Sequence, residues 1–340
     1  RMTSRCVSFV IAACALVLAS AAPAAAQTSS GSCTVSPAVP GASGADVCQK
    51  GRDLFSFLVP QVGVALSGGN PVLGEGGTLG GWGKRMLQLR ATAVDGRVPA
   101  NDVPIRVTGP AAASDFGAKR VPVPMPTLDA AVGLFKGIPL GLTNAGGVDV
   151  LLGASYLPTI EDGDFSLTPT GANWAFSYGL RVGALQESSL VPGVSLSVMR
   201  RKLPTMNFGY GSSNDTLRVD NFALTSNALR LTAAKRFLIF GIAAGVGRDQ
   251  IEGSSSLGAT VNENLLAATQ RYGASLPDLR TTVVRNTAFV NASLNLIVTR
   301  LIAEYGWSDN GERLHTINRF GDRQANEGYR YGSVGLTVRF

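Results

Sequence analysis

His315 is the only imidazole in 340 residues. Placed beside a serine hydroxyl it would act as a general base, and Arg313, Asn318 and Asp322 lie close to it in sequence. A lone loop histidine among polar neighbours is ordinarily a solvated side chain, so no catalytic residue and no enzyme activity are assigned. One histidine also excludes a multi-histidine metal centre, and neither metal nor cofactor is expected. The glycine-rich run from Gly68 to Gly81 lacks the Lys-Ser/Thr ending and the following helix of a phosphate cradle. It reads as a flexible loop. Cys33 and Cys48 have no Cys-x-x-Cys spacing, so they read as a local staple rather than a redox pair.

The remaining chemistry lies in charges that alternate with apolar residues. Charged residues are only 16%, below the usual quarter, while hydrophobic residues make up 45%. That balance excludes an intrinsically disordered chain and a long coiled coil. The net charge of +7 is carried mostly by arginines, which are scattered along the chain. Nucleic-acid binding would call for a basic patch or stripe, and none is present.

The chain opens with Arg1 to Arg5, a positive stretch, followed by a nearly continuous apolar run from Cys6 to Ala22. Ala24-Ala25-Ala26 then fits a small-residue cleavage site, so residues 1–26 are expected to be a signal peptide. Ile11-Ala12-Ala13-Cys14 is similar to a lipoprotein box, but cleavage there would leave an apolar mature start. Cys33 and Cys48 are the two cysteines beyond the signal, and in an exported chain they are expected to bridge. Residues 27–57 are expected to form a periplasmic segment, either a tether or a plug. At its end, 46–58 reads as a short helix.

From residue 58 to 340 the pattern has period 2. Trp174, Phe176, Tyr178, Leu180, Val182 and Ala184 share one face, opposite Ser177 and Arg181. A soluble sandwich would carry charge on its outer face. Here the polar face holds Ser, Thr, Asn, Gly and isolated Arg, which suits the lumen of a transmembrane antiparallel β-barrel. Ten residues rising about 3.3 Å each, tilted by about 45°, span roughly 23 Å, close to an outer-membrane apolar band. Strands are expected near 59–68, 84–96, 103–109, 128–137, 146–157, 173–185, 190–202, 218–234, 237–249, 284–296, 298–308 and 330–340. That is about twelve, with ten or fourteen also open. The longer connections include 69–83, 110–127 and 250–283. An even number places both termini in the periplasm.

In this register Arg90, Asp149, Arg181, Arg230, Glu304 and Arg339 point into the lumen. They would either create a field favouring anionic solutes or pair with one another and fill the space. Gly241, Ala243, Gly245 and Gly247 also point inward, leaving one wall open or letting a plug approach.

The last strand puts Val334, Leu336, Val338 and Phe340 on one face. It resembles the terminal strand of Gram-negative outer-membrane barrel proteins. The resemblance implies an outer-membrane location, lipid as a partner, and recognition of those four residues by the barrel-assembly machinery. Gly69-Asn70-Pro71 and the C-terminal Phe resemble the long-chain fatty-acid transporter family, whose hatch precedes the barrel. The strand expected at 59–68 puts the Asn-Pro pair after it rather than in the hatch. The architecture is also similar to barrel phospholipases, which use a Ser-His pair. The function expected is a channel or transporter for small solutes, hydrophobic or anionic. The alternative is a structural or adhesive barrel without an open pore.

Overall fold

The computed structural model describes residues 27–38, 41–99, 103–162, 165–211, 216–265, 268–296, 298–311, 316–325 and 327–340. The expected signal segment, Arg313 and His315 lie outside the described residues.

The elements, in chain order, are β1 (Gln27–Ser29), β2 (Thr34–Ser36), α1 (Ala45–Ser67), β3 (Arg85–Val98), β4 (Lys119–Phe135), β5 (Ile138–Leu140), β6 (Thr143–Ala145) and β7 (Gly147–Tyr156). Then come β8 (Ile160–Asp162), β9 (Phe165–Pro169), β10 (Trp174–Leu185), β11 (Gly193–Lys202), β12 (Met206–Gly211) and β13 (Thr216–Phe237). The last four are β14 (Phe240–Leu265), β15 (Ala268–Asn295), β16 (Thr299–Ser308) and β17 (Tyr329–Arg339).

Antiparallel pairing runs β3-β4-β7-β10-β11-β13-β14-β15-β16-β17. The ring closes where β17 pairs with β3, from Tyr331↔Val94 to Arg339↔Met86. The described residues therefore form one ten-stranded barrel. Closure removes every strand edge in the ring, which a lipid environment requires because it cannot satisfy open backbone groups.

Two of the twelve expected strands do not exist. Residues 59–68 belong to α1 and the turn after it, so the helix runs past the expected boundary at 57/58 and the first ring strand begins at Arg85. Residues 103–109 contribute only a single bridge, Ala42↔Thr108. The stretch 250–283, expected to be a loop, instead continues the β14–β15 hairpin as one long ladder.

Within the barrel wall the period-2 pattern sets the facing. On β10, Phe176 is 76% exposed and Leu180 54%, whereas Arg181 is 2% exposed. Val290 and Leu336 also point outward, and Asn291 and Thr337 point inward. One end of the barrel carries short connections, such as 238–239 and 296–298, together with Phe340 (the turn end). The other carries the longer connections 99–118, 157–173 and 309–328 (the loop end). Beyond the wall at the loop end, β13, β14 and β15 continue upward and the pattern inverts. Ile251, Leu257, Val261, Tyr272, Leu276 and Leu279 are buried on the inner face, and polar residues lie outside. These side chains join Val47, Phe55 and Val59 of α1 in one apolar core.

The chain before the barrel occupies its lumen. Helix α1 starts at the loop end, where the Asp46 carboxylate accepts the Arg106 and Ala112 N–H groups and pairs with Lys50 at 2.5 Å. Gly51 and Gly63 let the helix approach the wall, since a Cβ at either would lie within 3 Å of Leu257 or Ile251 side-chain atoms. The helix descends to Ser67, whose hydroxyl lies 2.5 Å from that of Ser226. Residues 68–79 continue downward, all buried, and the chain emerges at the turn end as β3. Of the two arrangements left open for the segment before the barrel, a tether or a plug, the described chain has a plug, which extends past residue 57 to residue 79. β1 pairs with β15 at Gln27↔Thr282 and β2 at Thr34↔Ser275, both at the loop end. Gln27 and Phe340 therefore lie at opposite ends of the barrel. The passage through the lumen separates them, since it adds to the ten strands of the wall.

Candidate plug latch in the barrel lumen

The descending chain is gripped where α1 ends. Gly68 has φ +59°, a left-handed turn open to glycine, and its N–H caps the helix on the Val64 carbonyl. The carbonyls beyond the cap meet arginines. Arg230 donates to the Gly68 carbonyl at 2.7 Å and the Gly69 carbonyl at 3.0 Å, and Arg90 donates to the Asn70 carbonyl. Cations at a helix C-terminus are favoured by its partial negative charge. Glu304 faces the same turn from β16 and accepts the Gly69 N–H at 3.1 Å and the Asn70 N–H at 2.8 Å. It also accepts Asn291 Nδ2 at 2.7 Å and Ser333 Oγ at 3.1 Å. A Cβ at Gly69 would sit 2.5 Å from a Glu304 carboxylate oxygen, so a side chain there would push the carboxylate off the turn.

A second set of contacts holds the lower plug. Asn70 Oδ1 accepts the Val72 N–H, and its Nδ2 donates to the Glu75 carbonyl. Gln88 Oε1 accepts the Leu73 N–H at 2.9 Å. Glu75 pairs with Arg300 and, at 2.8 Å, with Arg339. Asp149 accepts the Leu79 N–H and pairs with Arg181 at 2.6 Å. Gly76 lies against the wall so closely that a Cβ would be 2.2 Å from the Ala234 nitrogen.

All six lumen candidates sit on the inner face, and the latch gathers five of them onto the plug: Arg90, Arg230 and Glu304 at the helix end, Asp149 and Arg339 below. Arg181 acts through Asp149. Arg230 also pairs with Asp249 at 2.8 Å, and Arg201 with Asp129 at 2.7 Å. Arg201, Asp129, Asp249 and Arg300 were not singled out from the sequence, although all four share the inward parity of their strands. Glu75 carried no signal, since its run is glycine-rich and aperiodic. The arginines and acids do not face an aqueous pore; they pair across adjacent strands and to the plug. The Gly241–Gly247 wall lies inward as expected. Gly69-Asn70-Pro71, expected after a first strand, lies inside the plug because α1 replaces that strand.

At the loop end Phe57, Phe320 and Phe116 stack, with ring centroids 4.1 and 5.3 Å apart. Asp115 ties the two loops there, accepting the Gly321 and Gly117 N–H groups, and these bonds hold its carboxyl below the usual aspartate range. Cys33 and Cys48 are bridged, with Cα atoms 6.2 Å apart, joining the chain after β1 to the first turn of α1. On β17, Val334, Leu336 and Phe340 are exposed on the outer face, and Val338 is half-buried in the same row.

A closed antiparallel ring, apolar outside and ionic within, defines an outer-membrane β-barrel protein. No family model matches the chain, and no curated protein matches it. Solved structures do show likeness over about three quarters of it. A Neisserial surface protein, NspA, is 11% identical over 76% of this chain and 99% of its own, with a TM-score of 0.29. The translocator domain of autotransporter NalP from Neisseria meningitidis is 12% identical over 76% and 89%, with a TM-score of 0.30. The outer membrane protease OmpT from Escherichia coli is 12% identical over 76% and 96%, with a TM-score of 0.30. Likenesses of this size carry no information about activity.

Proposed function

We propose that the protein is a plugged, non-conducting outer-membrane barrel that presents its N-terminal segment and long hairpin on the cell exterior. The observation that carries this reading is the path of residues 45–79, which fill the lumen from the loop end to the turn end. With Phe340 in the periplasm, where the barrel-assembly machinery would engage the Val334, Leu336, Val338 and Phe340 row, the loop end faces outward. Residues 27–38, tied to β15 and to α1 by the disulfide, then lie outside the membrane. The barrel is an anchor in this reading, and no catalytic step is assigned to it.

The test is an epitope inserted at Gly41, an exposed site with φ +83° and nothing within 4 Å of a Cβ. Antibody should label intact cells. Labelling only after permeabilisation would reverse the plug and end this reading.

One observation favours a second reading, transport of small solutes after plug release. The lower plug is held by hydrogen bonds and ion pairs beside one small apolar cluster, in which Val72 and Leu79 pack on Met86, Ala131, Leu151 and Met199. A hollow of about 1340 Å³ also opens at the loop end, lined by Asp95, Arg97, Arg120, Arg323 and Tyr329 among others. A conductance appearing on plug release, with uptake of a solute, would favour it.

A further inference from the structure

The outer wall carries a groove whose chemistry the plug does not explain. One cross-strand row runs Leu196↔Leu231↔Val246↔Ala288↔Trp307 over β11, β13, β14, β15 and β16, all facing outward. Ala288 is the smallest member and lies between Val246 and the Trp307 indole, so the wall is hollow there. The cavity is about 550 Å³ and apolar, except at its loop-end rim. The next row toward the loop end reads Leu229↔Arg248↔Asn286. Arg248 is a cation on the lipid-facing side. Among the described residues Arg248 makes no hydrogen bond and no ion pair. The neighbouring acid, Asp309, is engaged elsewhere: its oxygens accept Asn286 N, Asn286 Nδ2 and Gly311 N.

An unpaired guanidinium at this depth is tolerated near the membrane boundary but not at the midplane. The exposed Trp307 indole one row below marks the same boundary. A free arginine above an apolar hollow, at the level where headgroups meet chains, matches a ligand with an anionic head and a hydrocarbon tail. Arginine recognises phosphate through paired N–H donors.

We infer that this groove binds a lipid with an anionic phosphate headgroup. Its phosphate meets Arg248, and its chain lies in the hollow at Ala288 between Val246 and Trp307.

The test uses the full chain in phosphatidylcholine nanodiscs, with Trp82 and Trp174 replaced by Phe so that Trp307 alone reports. Phosphatidic acid and diacylglycerol, both with brominated chains, are titrated separately as quenchers. One charge-assisted pair predicts half-maximal quenching at about tenfold lower mole fraction for phosphatidic acid. Arg248→Gln should abolish that difference. Ala288→Leu, which fills the hollow and leaves Arg248 in place, should weaken quenching by phosphatidic acid. Gel migration before and after boiling verifies that each variant is folded. Equal quenching by the two lipids, or an undiminished preference in R248Q, would overturn the inference. So would relief of quenching by inorganic phosphate alone, which would make the ligand the free ion.

Discussion

Glu304 holds four donors at once, two of them backbone N–H groups of the plug turn. Removing a buried charged partner leaves those donors and the facing Arg90 uncompensated, a loss of about 3–5 kcal/mol. Glu304→Ala is therefore expected to lower barrel stability by about that amount and to raise hydrogen exchange in residues 68–79 well before the wall opens. Unchanged exchange there would remove Glu304 from the latch. Gly76→Ala makes a separate demand, because its Cβ would collide with the backbone of Gly193 and Ala234. Overpacking of this kind costs about 1–3 kcal/mol, and the same exchange measurement should show residues 74–79 loosened. The inward set from Arg90 to Arg339 was legible from parity alone, since a charge on the lipid face is costly. What those charges hold was not legible. Arg90, Arg230 and Glu304 bind main-chain groups of Gly68, Gly69 and Asn70, and backbone donors and acceptors leave no mark on sequence pattern.

Helix α1 shows why an element inside a barrel is hard to read. It is buried on nearly every side, so it lacks the polar stripe that marks a surface helix. Its second half, with Val59, Val62 and Val64, therefore passes for a strand. The β14–β15 hairpin fails for the opposite reason. Above the membrane its apolar residues face inward onto α1, so the outward apolar row that marks a wall strand disappears. The wall strands themselves were legible because lipid imposes one facing on all of them. Single cysteines at positions 176 and 177 should differ, the first open to a lipid-soluble quencher, the second closed both to that quencher and to a water-soluble thiol reagent while the plug is in place. Equal behaviour would break the assigned facing of β10. The Cys33–Cys48 bridge closes about fifteen residues, worth roughly 3 kcal/mol in a chain-entropy account. Thiol reagents should find no free cysteine without reductant in the mature protein, and Cys48→Ser should loosen residues 27–38 while leaving the ring folded. The loop tie at Asp115 adds a pH dependence. Its folded pKa is depressed, so its contribution is present above the unfolded value of about 3.9 and is lost as pH falls through the folded value. Hydrogen exchange at Gly117 and Gly321 should rise in that acid range and not at neutral pH.

At the scale of the whole molecule, the ring is a closed wall around an ionic lower lumen and an apolar upper core, with one chain passing through both. Closed barrels resist detergent unfolding, so an unboiled folded sample should migrate faster on a gel than a boiled one. The sequence expectation of about twelve wall strands becomes ten because 59–68 is helical and 103–109 stays off the ring, and ladder pairing is a long-range property. The central claim is that residues 45–79 close the lumen. Planar-bilayer recording tests it most directly, comparing the intact protein with Glu304→Ala under the same voltage. The intact barrel should be silent, and the variant should open in discrete steps as the plug turn releases. Steady conductance through the intact barrel would contradict a filled lumen.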